Sequence, residues 1–415
     1  MALISQRNAK MFAKLGGAGT GSPIGESPDN QPIWEVPVLA GFSFGQTTNS
    51  TEVTVNEAGF NSRRARVLFN DSLAPVEFSF STYIRPTSGT SPTRVVAPEA
   101  VLFAMLMGAD SFSDTTGTFY SSTQAVYGSP TQSVSPGTSP TSLNAINTGS
   151  SNSTVDTFDF SASNVSFYPS GNSIIFQVQE GSNYEVFTIA NAQMNEVTID
   201  FDINGIATAQ WSGMGTSITR STSSITPTFN QGVTSTTNFI RNKLSTLKIS
   251  SYASAGSPSV ASPGALTDTY DIVLTGGNFT ISNNMSFLMP EELGKVNQTI
   301  GNITGTRTIS GSLTCYYDTA IGSSKSSELW QDLITGNSGG SPSNTTIPAI
   351  RNAHFMEISI GGTTGNRLLL SLPTAHLEIP TINPDELFTL EANFHAIPSQ
   401  GNFDNTDEAS ISYGI

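Results

Sequence analysis

A doubled pattern of strands is the feature of this sequence that most restricts its fold. The block 41–84 ends with the run Phe78-Ser79-Phe80-Ser81-Thr82-Tyr83, and the block 278–317 ends with Ser312-Leu313-Thr314-Cys315-Tyr316. The first block also begins with such a run, Phe42-Ser43-Phe44. Apolar residues at every second position are typical of strands with one buried face. Each block therefore indicates a long β-hairpin, and the chain contains that hairpin twice.

A short helix is predicted after each hairpin block. In the first copy it lies within 94–108, where Gly108 follows the last apolar residue as a helix stop. In the second copy it lies within 323–336, and Gly336 ends it in the same way. We expect the apolar faces of both helices to pack into the core of their own copy. The residues predicted to do so are Leu102, Leu106, Leu329, Trp330 and Leu333.

A second antiparallel pair of strands completes each copy. The stretches 184–215 and 367–397 both contain an apolar run, a turn and a returning apolar run. The turns contain Asn204-Gly205 in the first copy and Asn383-Pro384-Asp385 in the second, and these are residues that favour tight turns. The sequence therefore predicts a mostly-β protein with two tandem β-sandwich domains, each with a long hairpin and one short flanking helix.

The rest of the chain divides around these two copies. Residues 109–162 are rich in Ser, Thr, Pro and Gly, so they cannot form a core of their own and are interpreted as an insertion in the first copy. The predicted organisation is an N-terminal arm at 1–33, a first domain at 34–218 with its insertion at 109–162, a linker at 219–269, a second domain at 270–397 and a C-terminal tail at 398–415.

Composition narrows the class of function. The net charge of −15 argues against a protein that grips nucleic acid through basic contacts. It is compatible with a surface along which DNA slides, because like charges repel the phosphates. The N-terminus lacks the apolar core of a signal peptide, and no run of 18 apolar residues is present, so we expect no membrane span.

The residues that could perform catalysis are interpreted as ordinary structural positions. The three histidines, His354, His376 and His395, have no spacing typical of a metal site. The single cysteine, Cys315, is expected to be a buried and inert thiol. The acidic pairs fit a polar strand face or surface better than an acid–base pair; they are Asp200 with Asp202, Glu291 with Glu292, and Asp385 with Glu386. We therefore predict no enzymatic activity, no metal and no cofactor.

Basic residues in the hairpins are candidates for contacts between subunits. Arg63, Arg64 and Arg66 form the densest basic cluster, and Arg307 is the one arginine of the second hairpin. Contact with phosphate and salt bridges to acidic groups of a neighbouring subunit are both compatible with such a cluster. The second interpretation is favoured, because the cluster lies in a hairpin arm.

Two stretches resemble a known family, the phage major tail tube proteins. They are "FTISNNMSFLMPEELGKVNQTIGNITGTRTISGSLTCYY" followed by "SSELWQDLITG", and "ANAQMNEVTIDFDINGIATAQWSGMG". The resemblance covers 34–108 with 184–218, and 270–396. It implies a β-sandwich whose long hairpins join into a closed ring of six domains, with rings stacked into a hollow tube that conducts DNA. In members with two tandem domains, three chains make one pseudo-hexameric ring, and the doubled pattern here resembles that arrangement.

The resemblance also implies partners and a location. The chain would form a homo-oligomer, with a trimeric ring favoured over a hexameric one, and would meet the tape measure, terminator and baseplate proteins and, in a contractile tail, a sheath. DNA would pass without tight binding. The polar positions of 41–84 and 278–317 would face the lumen, and the arm, the linker and the tail would contact the next ring. The protein would be assembled in the host cytoplasm and reside in the virion tail.

A different class of function remains open from the sequence alone. A β-repeat chain rich in Ser, Thr and Asn and poor in cysteine is also compatible with an adhesin or receptor-binding protein of a phage or cell surface. Cell-surface adhesins usually have an export signal, whereas a phage receptor-binding fibre needs none. Self-assembly into rings is the observation that distinguishes the two hypotheses.

Overall fold

The structure is a computed structural model and shows a mostly-β chain, with two short α-helices among the residues that it describes. It describes residues 8–16, 32–54, 66–88, 95–109, 111–113, 118–120, 157–160, 171–228, 238–252, 266–289, 299, 301–319, 325–335, 354–362, 366–384, 386–397 and 408–414. Among these residues, no helix is long and apolar enough to cross a membrane.

The described residues of the first half of the chain, called the first repeat, form sixteen strands and one helix. In chain order they are β1 (Ala9–Lys14), β2 (Ile33–Val36), β3 (Ser43–Gly45), β4 (Thr48–Thr54), β5 (Arg66–Leu73), β6 (Val76–Tyr83), β7 (Thr87–Ser88), β8 (Val95–Val96), α1 (Ala100–Leu106), β9 (Ser111–Ser113), β10 (Thr118–Tyr120), β11 (Thr157–Phe160), β12 (Ser173–Glu180), β13 (Asn183–Ala190), β14 (Gln193–Asp200), β15 (Thr208–Gly215) and β16 (Ser217–Ser221).

The second half is called the second repeat, and its described residues form eleven strands and one α-helix after a short 3-10 turn at Asn242–Leu244. In chain order they are β17 (Thr246–Tyr252), β18 (Leu266–Ile272), β19 (Leu274–Ser282), β20 (Ser286–Leu288), β21 (Gly301–Ile303), β22 (Thr308–Tyr316), α2 (Ser326–Thr335), β23 (His354–Ile360), β24 (Arg367–Leu377), β25 (Thr381–Pro384), β26 (Phe388–Ala396) and β27 (Ala409–Gly414).

Each repeat has an outer layer with the same strand order. In the first repeat the order is β16-β13-β12-β1-β2, and in the second it is β27-β24-β23-β17-β18. The inner layers also correspond, with β14-β15-β6-β3 in the first repeat and β25-β26-β22-β19 in the second. The long strand β24 belongs to both layers of its repeat, because its first part pairs with β23 and β27 and its end pairs with β26. The repeat predicted from the sequence is therefore present in the strand pairing.

The two layers pack face to face across an apolar core. Phe176 of β12 stacks on Phe44 of β3, with ring centroids 4.8 Å apart, and meets Phe80 of β6 edge-on. In α1 every residue is buried, and Phe103 packs edge-on against Trp211 of β15 at 4.8 Å. The Trp211 indole N–H donates to the Thr82 hydroxyl at 3.0 Å, so its one polar atom is satisfied inside the core.

Segments that we predicted to lie outside the two domains contribute strands to these layers. The arm supplies β1, the linker supplies β17 and part of β18, and the tail supplies β27. In β1, Met11, Phe12 and Ala13 are buried, so the described part of the arm is part of the folded repeat. Its partner β12 lies far along the chain, and a pairing between such distant segments leaves no local signal in the sequence.

The described parts of the predicted insertion 109–162 are the buried Ala109 and three short strands. β9 and β10 pair with each other, and β11 pairs with β27 of the second repeat. The remaining residues of the insertion lie outside the described ones.

Candidate functional site: a polar sheet face with two open edges

One continuous antiparallel sheet joins the two repeats. Its eight strands follow the order β25-β26-β22-β19-β14-β15-β6-β3, and we call it the inner sheet. Four strands come from each repeat, and the pairing of β14 with β19 connects them. The in-chain junction, as we call the β14–β19 pair, is therefore made by an edge of the first repeat and the opposite edge of the second.

The two faces of the inner sheet differ in chemistry. One face consists of side chains buried in the core, among them Phe78, Phe80, Val197, Trp211, Phe279, Leu313 and Phe394. The opposite face, called the polar face, alternates with it along every strand. Its polar residues include Ser43, Glu77, Ser79, Ser81, Glu196, Thr198, Asp200, Thr208, Gln210, Ser212, Asn278, Thr280, Ser310, Ser312, Thr314, Thr381, Asn383, Glu391, Asn393 and His395. Tyr83, Met214 and Tyr316 lie on the same face, opposite Thr208, Glu77 and Thr389.

The charges on the polar face are acidic. Its carboxylates belong to Glu77, Glu196, Asp200 and Glu391, and the described strands of the inner sheet contain no Lys or Arg. Partial burial, together with the neighbouring Asp202 carboxylate, raises the pKa of Asp200, while the Gln210 amide that donates to it at 3.2 Å opposes this shift. A surface of hydroxyls, amides and scattered carboxylates attracts no phosphate backbone.

The in-chain junction is fully packed on its apolar side. Val197 lies opposite Ile281 and Ile199 lies opposite Phe279, and all four side chains are buried. On the polar side the Thr198 and Thr280 hydroxyls meet at 2.9 Å. The ladder of backbone hydrogen bonds continues past the strand ends, where the Phe201 N–H donates to the Gly277 carbonyl at 3.0 Å.

Asn283 fastens the second repeat to the helix of the first. Its side-chain amide donates to the Leu106 carbonyl at the end of α1, at 2.8 Å. Its side-chain oxygen accepts from Arg307 Nε at 2.9 Å, which fixes the orientation of the amide. Nearby, the Met285 N–H donates to the Asn195 side chain at 2.8 Å. The contact between Asn283 and the Leu106 carbonyl is buried, and the other two contacts are partly buried.

The two outer edges of the inner sheet are open. In the described part of the chain, β3 pairs with β6 alone and β25 pairs with β26 alone. An unpaired edge exposes a row of N–H and C=O groups that can pair with another chain. These open edges occupy the positions in each repeat that β19 and β14 occupy at the in-chain junction.

Exposed apolar side chains of the described chain collect at the two ends of the inner-sheet strands. At the hairpin end, where β4–β5 and β20–β21 project, they are Val53, Val67, Leu68, Phe69, Leu288 and Ile303. At the turn end they are Ile203, Ile206, Leu244, Val273, Tyr316, Leu387 and Phe388. The two that remain are Ile334 of α2 and Ile379, which precedes β25 in the chain. Such apolar patches mark surfaces that bind another protein.

The predicted inter-subunit arginines are placed apart. Arg63 and Arg64 lie outside the described residues. Arg66 forms an ion pair with Glu52 across its own hairpin, at 3.2 Å. Arg307 lies at the in-chain junction, where it contacts Asn283.

The predicted helix residues lie as follows. Leu102 and Leu106 of α1 are fully buried, and Leu329 and Leu333 of α2 are nearly so. Trp330 is partly exposed and donates from its indole to the Pro380 carbonyl at 3.2 Å. α2 therefore lies against the chain that leads into β25.

The histidines and the cysteine lie on different strands. His354 is buried, and burial, with a smaller effect of the His376 charge, lowers its pKa to about 4. His376 and His395 lie opposite each other on β24 and β26, and His395 is 3.5 Å from Glu378.

Burial raises the pKa of the Cys315 thiol to about 12. Within the described residues, no group of three His, Cys, Asp or Glu side chains is arranged to hold a metal ion. Glu291, Glu292 and Asp385 lie outside the described residues.

Sequence reasoning missed Asn195 and Asn283, which connect the repeats. Single asparagines in a chain rich in this residue give no signal of their own. The repeat itself was the usable signal, since it predicts that an edge of one copy meets an edge of the other.

Comparison with known proteins agrees with this architecture. A family model described as phage tail tube protein matches residues 76–396, which include the inner sheet from β6 to β26. The chain is also 28% identical over 424 residues to the tail tube protein pb6 of Escherichia phage T5, an alignment that covers all of this chain and 76% of that protein. The chain thus belongs to the phage tail tube proteins, which are structural components of the virion tail.

Proposed function

We propose that copies of this chain assemble into rings of three, and that these rings stack into the hollow tail tube through which phage DNA passes. The observation on which this depends is the in-chain junction. Two repeats already form one continuous sheet, and the edges left open correspond to the strands paired at that junction. Repeating the same rotation closes a ring and removes every open edge. The role is structural and not enzymatic.

The polar face supports the assignment of a lumen. In a closed ring one face of the inner sheet points to the axis, and the other faces the core of the sandwich. The apolar face is already covered by the outer layers, which leaves the polar face for the lumen. Its hydroxyls, amides and carboxylates would let a polyanion slide without adhering.

The two apolar ends support stacking. In a ring, the hairpin end and the turn end form opposite rims. Two different apolar rims that contact head to tail build an open filament, because no symmetry operation closes such an assembly. The tape measure, terminator and baseplate proteins, and a sheath in a contractile tail, would then contact the tube after its assembly in the host cytoplasm.

Assembly is tested by light scattering and negative-stain microscopy of purified protein. Rings or tubes with three chains in each layer are the expected result. Six chains per layer would place one repeat outside the ring wall and contradict the three-chain arrangement. A protein that stays monomeric at all concentrations would contradict the tube and favour the adhesin hypothesis.

A separate experiment tests the passage of DNA by changing the charge of the proposed lumen and measuring whether the tube retains DNA. Tubes of the native protein should not retain double-stranded DNA at low salt. Glu391→Lys places a positive charge on the polar face of every chain, and we expect salt-sensitive retention of DNA that is long enough to enter the tube. Glu180→Lys, on the outer layer, is the matched control and should leave internal retention unchanged. Equal retention by both variants would show that the polar face is not the lumen.

A further inference from the structure

The two open edges form a matched pair, and we infer that the in-chain junction sets their register. In the ring, β25 of one chain pairs with β3 of the next, so that Thr381 lies opposite Gly45 and Ile382 lies opposite Phe44. This inference rests on the proposed ring and adds the register and contacts of the interface between chains. The partner is a second copy of this chain.

The register follows from the strand pairing inside each repeat. In the second repeat, Phe394 pairs with Gly311, which pairs with Phe279. In the first repeat, Gly213 pairs with Phe78, which pairs with Phe44. The runs that end at Tyr83 and Tyr316 align so that Phe78 matches Gly311, and Phe44 therefore occupies the place of Phe279.

The surrounding sequence agrees, since Leu39, Gly41 and Phe44 match Leu274, Gly276 and Phe279. Alternation of apolar residues alone would also allow Phe42 as the counterpart of Phe279, two positions from Phe44. A shift of two leaves the same side chains on the same face, so the pattern of alternation cannot detect it.

The other edge is matched in the same way. Thr198 pairs with Gln210 in the first repeat, and Thr381 pairs with Glu391 in the second. The segments Val197-Thr198-Ile199-Asp200 and Pro380-Thr381-Ile382-Asn383 therefore correspond residue by residue. At the in-chain junction Thr198 lies opposite Thr280 and Ile199 lies opposite Phe279. Substituting the matched residues gives Thr381 opposite Gly45 and Ile382 opposite Phe44.

Side chains at the open edges are less buried than the matched side chains at the in-chain junction. Ile199 and Phe279 are fully buried, whereas Ile382 and Phe44 are only partly buried. Pairing β25 with β3 in the proposed register brings these two partly buried side chains together on the core side of the sheet. The same pairing places Asn383 opposite Ser43, so no two carboxylates face each other.

One hydrogen bond of the in-chain junction has no counterpart between chains. Pro384 stands where the first repeat has Phe201, and it has no N–H to replace the one that donates to the Gly277 carbonyl. The two kinds of junction in a ring therefore share a register but differ in their hydrogen bonding at the turn end.

Disulfide crosslinking of assembled protein tests the register. Thr381→Cys combined with Gly45→Cys reproduces the Thr198–Thr280 pair, whose hydroxyls lie 2.9 Å apart. A side chain added at Gly45 meets no atom within 4 Å, so this substitution is compatible with the fold. The in-chain positive control is Thr198→Cys with Thr280→Cys, and the control for the wrong register is Thr381→Cys with Ser43→Cys, two residues away on the same face. The native Cys315 is buried and does not compete.

The expected result is a covalent ladder that ends at three chains on a non-reducing gel. The crosslink should form about tenfold faster or more than in the Ser43 control, because disulfide geometry tolerates little displacement. Tubes that form normally but crosslink equally well, or better, through Ser43 would overturn the register and leave the proposed tube intact. Rings that form without a crosslink in either pair would overturn the β25–β3 contact. Absence of any assembly in the native protein would overturn the ring and this inference together.

Discussion

The two helices occupy the same place in their repeats but have different surroundings. Aligned at Gly108 and Gly336, the sequence AVLFAMLMG of the first repeat matches ELWQDLITG of the second. Every residue of α1 is buried, whereas α2 exposes one side, on which Ile334 is 49% exposed. Its counterpart Leu106 is fully buried.

The difference comes from what lies next to each helix. Tyr413 of the second repeat packs edge-on against Phe103 at 6.3 Å, and Asn283 bonds to the end of α1. Both groups belong to the neighbouring repeat. In the described chain α2 has no such neighbour, because its own side of the sheet ends at β25. The first helix is therefore enclosed by residues of the neighbouring repeat, and in the proposed ring the next chain would cover the exposed side of α2.

The largest expected contrast is between Leu106→Asp and Ile334→Asp. A charge at Leu106 would be buried without a partner, at a cost of several kcal/mol, and should unfold the first repeat. The same change at Ile334 lies at an exposed position, so the melting temperature of the unassembled chain should hardly move while ring formation is lost. Thermal unfolding and light scattering measure the two effects. Gln179→Asp on the outer layer is the control, and assembly by Ile334→Asp at native concentrations would contradict the role of α2.

Removing an aromatic ring from α1 tests the same difference in burial between the two helices. Phe103→Ala leaves a cavity between Trp211 and Tyr413 and should lower the free energy of unfolding by about 3–5 kcal/mol. The matched residue of α2 is Gln331, which is exposed, and Gln331→Ala should have little effect on the unassembled chain. Urea unfolding followed by tryptophan fluorescence compares the two. Similar losses in both variants would show that α2 is as enclosed as α1.

Glu99 makes the stability of the first repeat depend on pH. The matched residue of the second repeat is Ser327, which has no carboxyl group. Burial raises the pKa of Glu99 from 4.5 to about 7, against hydrogen bonds from its own and the Arg85 backbone and from Tyr413, and against the Arg85 charge. The fold therefore favours the protonated acid, so this contribution to stability is fully present below pH 4.5 and is lost as the pH rises through about 7. The loss amounts to roughly 3 kcal/mol.

The check is the melting temperature of the native chain and of Glu99→Gln at about pH 5 and about pH 8. The native chain should lose stability relative to the variant as the pH rises. Taking the difference between the two proteins cancels other titrating groups, such as His354, whose lowered pKa acts in the opposite direction. A difference that does not change with pH would contradict a protonated Glu99.

The smallest change in stability is expected for the substitution of Asn283 at the in-chain junction. Asn283→Ala leaves the Leu106 carbonyl without its side-chain donor and should cost about 1–3 kcal/mol in the unassembled chain. The matched residue at the open edge is Thr48, which is exposed, so Thr48→Ala should be close to neutral there. Denaturant midpoints measure both. Equal midpoints would show that Asn283 does not fasten the repeats.

The fold class and the repeat could be read from the sequence because they depend on local pattern. Alternation of apolar residues indicated the strands of 76–83 and 308–316, and Gly108 and Gly336 indicated the helix ends. Both signals depend on only a few neighbouring residues. The placement of the arm, linker and tail could not be read in this way. β1 pairs with β12, and β27 pairs with β24 and β11, and these pairings depend on which distant edges become free to meet.

For the candidate site, too, the sequence determined some features and the tertiary structure determined the others. The sequence by itself determined that one face of each hairpin is polar, that acidic residues outnumber basic ones, and that two similar units follow each other in one chain. Only the tertiary structure decided that these units share one sheet through β14 and β19, that Arg307 and Asn283 lie at their junction, and that Phe44 matches Phe279. A strand's pattern has a period of two and identifies its face, whereas its partner and register are chosen by hydrogen bonding and packing across the whole sheet.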